Sequence, residues 1–255
     1  MEDLASLGAT AARVGEMLLA SGAETHRAEE TMNRACRAAG AIDVEGYVTP
    51  TGLFLGVKDA QGHAVVEIRR VQRRGVDLAR VVEVNNLVRH LERGRLDLAQ
   101  VAAKLAALAA APPAYGNNWP VLAGAVGAAV SVLFLGGTVR DMPLALGAAL
   151  LVRLVVRALS RLDGFYFLAE FLGGFAAGVG VVALRTAGIS FHAPAVLVAS
   201  ILSLVPGTVV TAAIRDFITG DMVSGVVRGA EAALLAVALA SGVAASMSLT
   251  ALVPR

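Results

Sequence analysis

Cysteine is nearly absent. Cys36 is the single one in 255 residues, so neither an intrachain disulfide nor a cysteine-built metal cluster can form. It falls on the apolar side of a predicted helix and reads as a small core residue. The four histidines, at 26, 63, 90 and 192, lack metal-ligand spacing. Aromatics make up 5% of the chain and charged residues 16%, with no basic block interleaved with aromatics, so a nucleic-acid partner is not expected. HExxH and GxSxG patterns are missing, and no nucleophile stands in pattern with a base. An enzyme is therefore not expected. Met1-Glu2-Asp3 is acidic and no apolar core follows it, so a signal peptide is not expected.

What is abundant is apolar. At 56% hydrophobic residues and a mean hydropathy of +0.69, the composition is that of a membrane protein. Charge is unevenly spread: residues 1–113 carry fourteen Lys/Arg and fourteen Asp/Glu, and the rest carries eight and six. The break falls near Pro112-Pro113. The expected fold is a small cytoplasmic α+β domain over 1–113, followed by a transmembrane helical domain over 114–251. Residues 252–255 read as a tag-cleavage scar.

Leu4, Leu7, Ala11, Val14 and Leu18 recur at helical spacing, which predicts a helix over 3–21 stopped by Gly22. A second helix is predicted from Glu24 to Ala39, closed by Gly40. The period then changes. Ile42–Val48, Gly52–Lys58 and Ala64–Val71 read as three strands, the last two joined as a hairpin. Asp77 and Asp97 are placed to cap two further helices, to Arg93 and to about Ala110. Glu24 and Thr25 open a predicted helix, where they either satisfy its orphan amides or serve a ligand. Arg27 and Glu29 face the same choice between solvent and function.

Tyr115 and Trp119 suit a membrane interface. Five apolar runs follow, at about 119–138, 142–160, 166–184, 191–213 and 222–249. Arg153, Arg157 and Arg161 share a helical face and are expected to snorkel toward headgroups. With the α+β domain cytoplasmic, these three join Lys104, Arg215 and Arg228 on or toward the inner side, leaving Arg140 and Arg185 outside. That balance places the N-terminus inside and the C-terminus outside. Gly124 with Ala128, Gly174 with Gly178, and Gly225 with Gly229 form small-xxx-small pairs that permit close helix contact. Glu170, at the start of the third run, is either an intramembrane carboxylate or an interfacial one.

The stretch over 191–231 is the most informative. Pro206-Gly207 breaks an apolar run long enough to span a bilayer, at about twenty residues per crossing. Arg215, Asp216 and Asp221 follow, then Arg228 and Glu231 inside the next apolar run. Charges at membrane depth are expensive and usually face a protein interior or an aqueous path. A broken helix beside paired charges therefore points to a transporter interior. The plainer alternatives are a simple kink at Pro206 and an interfacial turn at Arg215-Asp216. Arg228 and Glu231, at i and i+3, can pair on one helical face.

Three separated motifs then align with a known group. SGAETHRAEETMNRACRAAG (21–40), RRVQRRGVDLARVVEVNNLVR (69–89) with GRLDLAQVAAKL (94–105), and LVPGTVVTAAIRDFITGDMVSGVVRGAEA (204–232) resemble the threonine/serine exporter (ThrE) family. The resemblance spans nearly the whole chain. It implies a cytoplasmic domain before a bundle of about five helices, with a second, smaller membrane subunit completing the exporter. The chain looks like the separate first subunit, the YjjP half of YjjP/YjjB-type pairs, which are associated with export of succinate-like dicarboxylates. The motif positions carried over are Gly22, Glu24, Thr25, Arg27 and Glu29, then Pro206, Gly207, Arg215, Asp216, Gly220, Asp221, Gly225, Arg228 and Glu231.

The expectation is thus a subunit of the bacterial inner membrane exporting small carboxylate metabolites, threonine and serine first and C4 dicarboxylates second. Arg228 or Arg215 would meet the substrate carboxylate, and Glu231 or Glu170 would carry a proton if the proton gradient drives export. No cofactor or metal is expected. Partners would be the lipid bilayer, the second subunit and, in the alternative, further copies of this chain. The reading of another class is a membrane-anchored sensory or scaffolding subunit.

Overall fold

The computed structural model describes residues 2–72, 75–112, 115–116, 118–159 and 166–250. Pro113, Arg161 and residues 252–255, which carry expectations above, lie outside the described residues. The chain forms two compact units, residues 1–114 with 211–229, and residues 115–210 with 230–255.

The first unit opens with α1 (Glu2–Ala20) and α2 (Thr25–Ala38). Leu4, Leu7, Ala11, Val14 and Leu18 are all buried, as their spacing requires of one helical face. Gly22, at φ +85°, ends α1: its N–H bonds to the Leu19 carbonyl and the Ala23 N–H reaches back to Leu18 at 2.9 Å. An added Cβ there would meet the Gly75 carbonyl at 2.7 Å, so glycine is needed for conformation and for space. β1 (Asp43–Thr49), β2 (Gly52–Lys58) and β3 (Ala64–Arg70) form an antiparallel meander in the order β1-β2-β3. Both connections are hairpins, so the hairpin expected for the last two strands extends to the first. Val48, Leu53, Leu55 and Val57 form the inner face of the sheet and join one core with α1, α2, α3 (Leu78–Glu92) and α4 (Leu98–Ala110). Full burial of a Leu or Val side chain stabilises by about 1.5–3 kcal/mol, so these positions hold the unit together. Asp77 caps α3 through the Arg80 N–H, and Asp97 forms a capping box with Gln100 on α4, as their positions predict.

The second unit is built from α5 (Trp119–Phe134), α6 (Met142–Leu159), α7 (Tyr166–Thr186) and α8 (Ala193–Ile201), with the start of α9 (Gly207–Ile218) and most of α10 (Met222–Thr250). Its core is small-residue packing: Ala125, Ala128, Val132, Ala145, Ala149, Val152, Ala177, Val196 and Ala199. Among the described residues three helical stretches are long and apolar enough to cross a membrane, Val139–Leu159, Phe167–Thr186 and Met222–Ser248. A fourth arises if α8 and α9, bent by 57° at their break, count as one span. The first of the five expected runs makes a helix of only 16 residues, because Gly136 and Gly137 close it early.

Pro206-Gly207 does break the apolar run. α8 gives way to a short 3-10 turn, Leu202–Leu204, and α9 begins at Gly207. Gly174 and Gly178 on α7 face Leu239 and Ser246 on α10, so that small-residue pair is a helix contact, as expected. Gly124 lies under the Arg153 guanidinium of α6 and Ala128 is buried in the core with α6, so that pair is a helix contact too; Gly225 meets the Phe217 ring, and Gly229 has nothing within 4 Å.

Candidate functional site

Two of the motifs singled out in the sequence meet in the first unit. α9 ends at Gly220, φ +85°, where the Asp221 N–H bonds to the Asp216 carbonyl at 2.8 Å. That tight stop turns the chain into α10, whose first turn is capped by the Asp221 carboxylate accepting from the Ser224 N–H. The short hairpin of helices presents Arg215, Asp216 and Arg228 to the start of α2. The sequence leaves two readings open for these charges, a transporter interior and, for Arg215-Asp216, an interfacial turn. Residues 211–229 cluster with residues 1–114, and their partners Ala23, Glu24 and Thr25 stand at the start of α2.

Thr25 Oγ1 donates to Asp216 Oδ1 at 2.8 Å. Glu24 pairs with Arg215 and lies 3.7 Å from Arg27. Glu24 occupies the N-cap position of α2 with no side-chain bond to the helix amides, so its carboxylate serves Arg215 and not the helix end. Arg228 Nη2 donates to the Ala23 carbonyl at 3.3 Å, and Arg228 Nε sits 3.2 Å from Asp216 Oδ2. Asp216 is 1% exposed. Oδ2 and Nε form an ion pair at that distance but lack hydrogen-bond alignment, so neither has a hydrogen-bond partner. A buried carboxylate and guanidinium with open hydrogen-bonding positions form a poised site.

A cleft of about 360 Å³ opens beside them, lined by Glu24, His26, Arg27, Glu30, Arg215, Asp216 and Thr219. His26, Glu30 and Thr219 were not singled out in the sequence, where they look like ordinary solvent-facing helix residues. Glu29 is half-buried on the neighbouring turn of α2. Burial pushes its carboxyl up from its ordinary value, against the Val48 N–H and His26, which lower it; Asp221 raises it further. Among the described residues no three His, Cys, Asp or Glu side chains gather to hold a metal. Pro206 and Gly207 shape the break before α9.

Glu170 is in the second unit, on α7, and is 9% exposed, which places it inside that unit. Arg153, expected to snorkel, turns inward over Gly124 of α5 with its Nε shielded from solvent. Arg157 donates to Asn118 at 2.9 Å. Glu231 is half-buried on α10, in the part of the helix assigned to the second unit.

The family model described as "ThrE: Putative threonine/serine exporter" matches residues 9–250. The chain belongs to the threonine/serine exporter family. The match runs through all three sequence motifs and both compact units. No curated protein and no solved structure matches the chain. For a member of this transporter family, the mostly helical architecture, the three to four candidate spans and the small three-stranded sheet describe a membrane protein.

Proposed function

We propose that this chain moves threonine or serine out of the bacterial cytoplasm, and that the cluster at the start of α2 is where the amino acid is first recognised. The observation that carries this is the mixed sign of the cluster. Asp216 and Glu24 supply two carboxylates, Arg228 and Arg215 two guanidiniums, within one set of contacts. A zwitterion needs both signs: a planar two-point donor for its carboxylate and an acceptor for its ammonium. A dianion such as succinate would meet the arginines but be repelled by Asp216 and Glu24. The geometry therefore favours amino acids over C4 dicarboxylates.

Membership of the 218–222 turn in the same compact unit as residues 1–114 supports a single side for both, which the arginine distribution puts in the cytoplasm of an inner-membrane protein. The C-terminus then lies outside. The proton gradient is the proposed drive, with Glu231 or Glu170 as the carrier. A second, smaller membrane subunit completes the path, because three to four candidate spans make a small bundle. Purified chain, with and without that subunit, is reconstituted in liposomes and offered labelled threonine, serine and succinate. Threonine flux that Arg228→Lys weakens is the expected result. Succinate carried in preference to threonine, or a chain that binds neither, overturns the reading.

A further inference from the structure

Inside the second unit lies a polar arrangement that the recognition cluster does not use. The Arg153 guanidinium lies flat across the α5 backbone. Nη2, Cζ and Nε are almost equally far from the point where a Cβ would stand on Gly124, and all overlap it. Glu170, on the next helix α7, carries the opposite charge. Yet no ion pair within 4.0 Å joins the two, although both are described. Arg153 Nε and Glu170 Oε2 are both shielded from solvent and both lack a hydrogen-bond partner.

Opposite charges in an apolar helical unit, here a buried Glu170 and a half-buried Arg153 whose Nε is shielded, gain most when they touch. Left apart, each with an open polar atom, they pay the desolvation penalty without the return, unless a third polar group fills the gap. The helices here pack largely through alanine and valine, and among the described residues no group hydrogen-bonds to Arg153 Nε or to Glu170 Oε2. We infer that Arg153, held over Gly124, and Glu170 form an internal station for a small zwitterion, the guanidinium taking its carboxylate and Glu170 its ammonium. This rests on the export reading above and deepens it, since a path through the helical unit needs a place for the same two charges once the amino acid has left the α2 cluster.

Glycine 124 supplies a variant that tests the station without removing either charge. A methyl there occupies the guanidinium's place, and the flexible end of Arg153 can swing aside, so Gly124→Ala should fold while displacing the donor. Gly127→Ala, on the same helix with nothing within 4 Å, is the control. Binding of labelled threonine to the full chain in detergent is measured by equilibrium dialysis, beside thermal stability. Wild type and Gly127→Ala should bind at both places. Gly124→Ala and Glu170→Gln should lose the internal component, with affinity there down by about tenfold or more, the loss expected of one charged contact. Both should keep the component that Asp216→Asn removes. If Glu170→Gln is too unstable to measure, Gly124→Ala decides. Unchanged binding in Gly124→Ala means that water alone fills the gap, and overturns the station while leaving the export reading standing. A wild-type chain that binds no threonine overturns both.

Discussion

Thr25 and Asp216 stand 191 residues apart in the chain and 2.8 Å apart in the fold, joined by a hydroxyl donating to a carboxylate that is otherwise sealed from solvent. This one bond ties the start of α2 to the helix hairpin at residues 211–229. It explains why a glycine-stopped helix is followed at once by Ala-Glu-Thr: Ala23 offers a carbonyl to Arg228, Glu24 a carboxylate to Arg215, and Thr25 a hydroxyl to Asp216.

Replacing Thr25 by valine keeps the shape and removes the donor. Asp216 then loses a bond in a place water does not reach, which destabilises by about 1–3 kcal/mol. A fall in melting temperature on the order of 5 °C follows for a chain of this size. Thr25→Ser should recover most of it. Thermal unfolding in detergent checks both, and an unchanged Thr25→Val would show that the bond contributes nothing.

Arg228 and Asp216 should be coupled more strongly. Asp216→Asn leaves a guanidinium, 11% exposed, facing a neutral amide. Stranding a buried charge in this way typically destabilises by about 3–5 kcal/mol. Arg228→Met alone strands Asp216 in turn. The double variant should be less damaged than the sum of the singles, and a double-mutant cycle on unfolding free energies reads the difference. Additive losses would mean that the pair acts as two independent groups. Arg228→Lys tests recognition separately: it keeps the charge but loses the planar fork, so threonine affinity should fall further than stability.

Glu29 predicts a pH dependence. Burial raises its carboxyl above the ordinary value of 4.5, so the fold prefers the protonated form. The stability this contributes is complete below the unfolded value and disappears as pH rises through the folded one. At neutral pH the ionised side chain is therefore a liability. Glu29→Gln should unfold at a higher temperature than wild type at pH 7, and the gap should close as pH is lowered below about 4. Melting curves across that range would contradict the assignment if the variant were less stable at pH 7 than at pH 4, relative to wild type.

The proposed orientation can be read by thiol labelling. Cys36 is fully buried and its thiol is pushed up to about 12 by that burial, so the native chain is a silent background. A cysteine at Ser190, exposed between α7 and α8, should react with an impermeant maleimide in intact cells. One at Gln61, exposed between β2 and β3, should react only after the cells are opened. The reverse pattern would invert the topology and the direction of transport.

Much of the first unit was legible because its signals are local. The heptad-like spacing from Leu4 to Leu18, the positive-φ glycines at 22 and 40, and the aspartate caps at 77 and 97 each act within one turn of themselves. The break at Pro206-Gly207 was visible for the same reason. What was not legible is which charges meet. Asp216 approaches Arg228 from a different helix, a meeting that spacing along one helix cannot show. Arg153 looked like a headgroup anchor because it begins a regular arginine stripe. The signal against that reading was its position ahead of Arg157 and Arg161, deeper in the apolar run, with Gly124 opposite and a carboxylate in the following span. Such cues are informative only once the helices are known to be neighbours.

The return of residues 211–229 to the first unit has a consequence for how the protein is made. Ribosomes add about 5–20 residues per second, so Thr25 waits roughly 10–40 s after its own synthesis before Asp216 exists to accept its hydrogen bond. For that interval the opening of α2 has neither Arg215, Asp216 nor Arg228 beside it. The apolar helices α5 to α8 are synthesised meanwhile. Completion of this cluster is thus withheld until those segments have been made, and in a chain arrested before residue 211 Ala23, Glu24 and Thr25 lack the partners that Arg228, Arg215 and Asp216 supply.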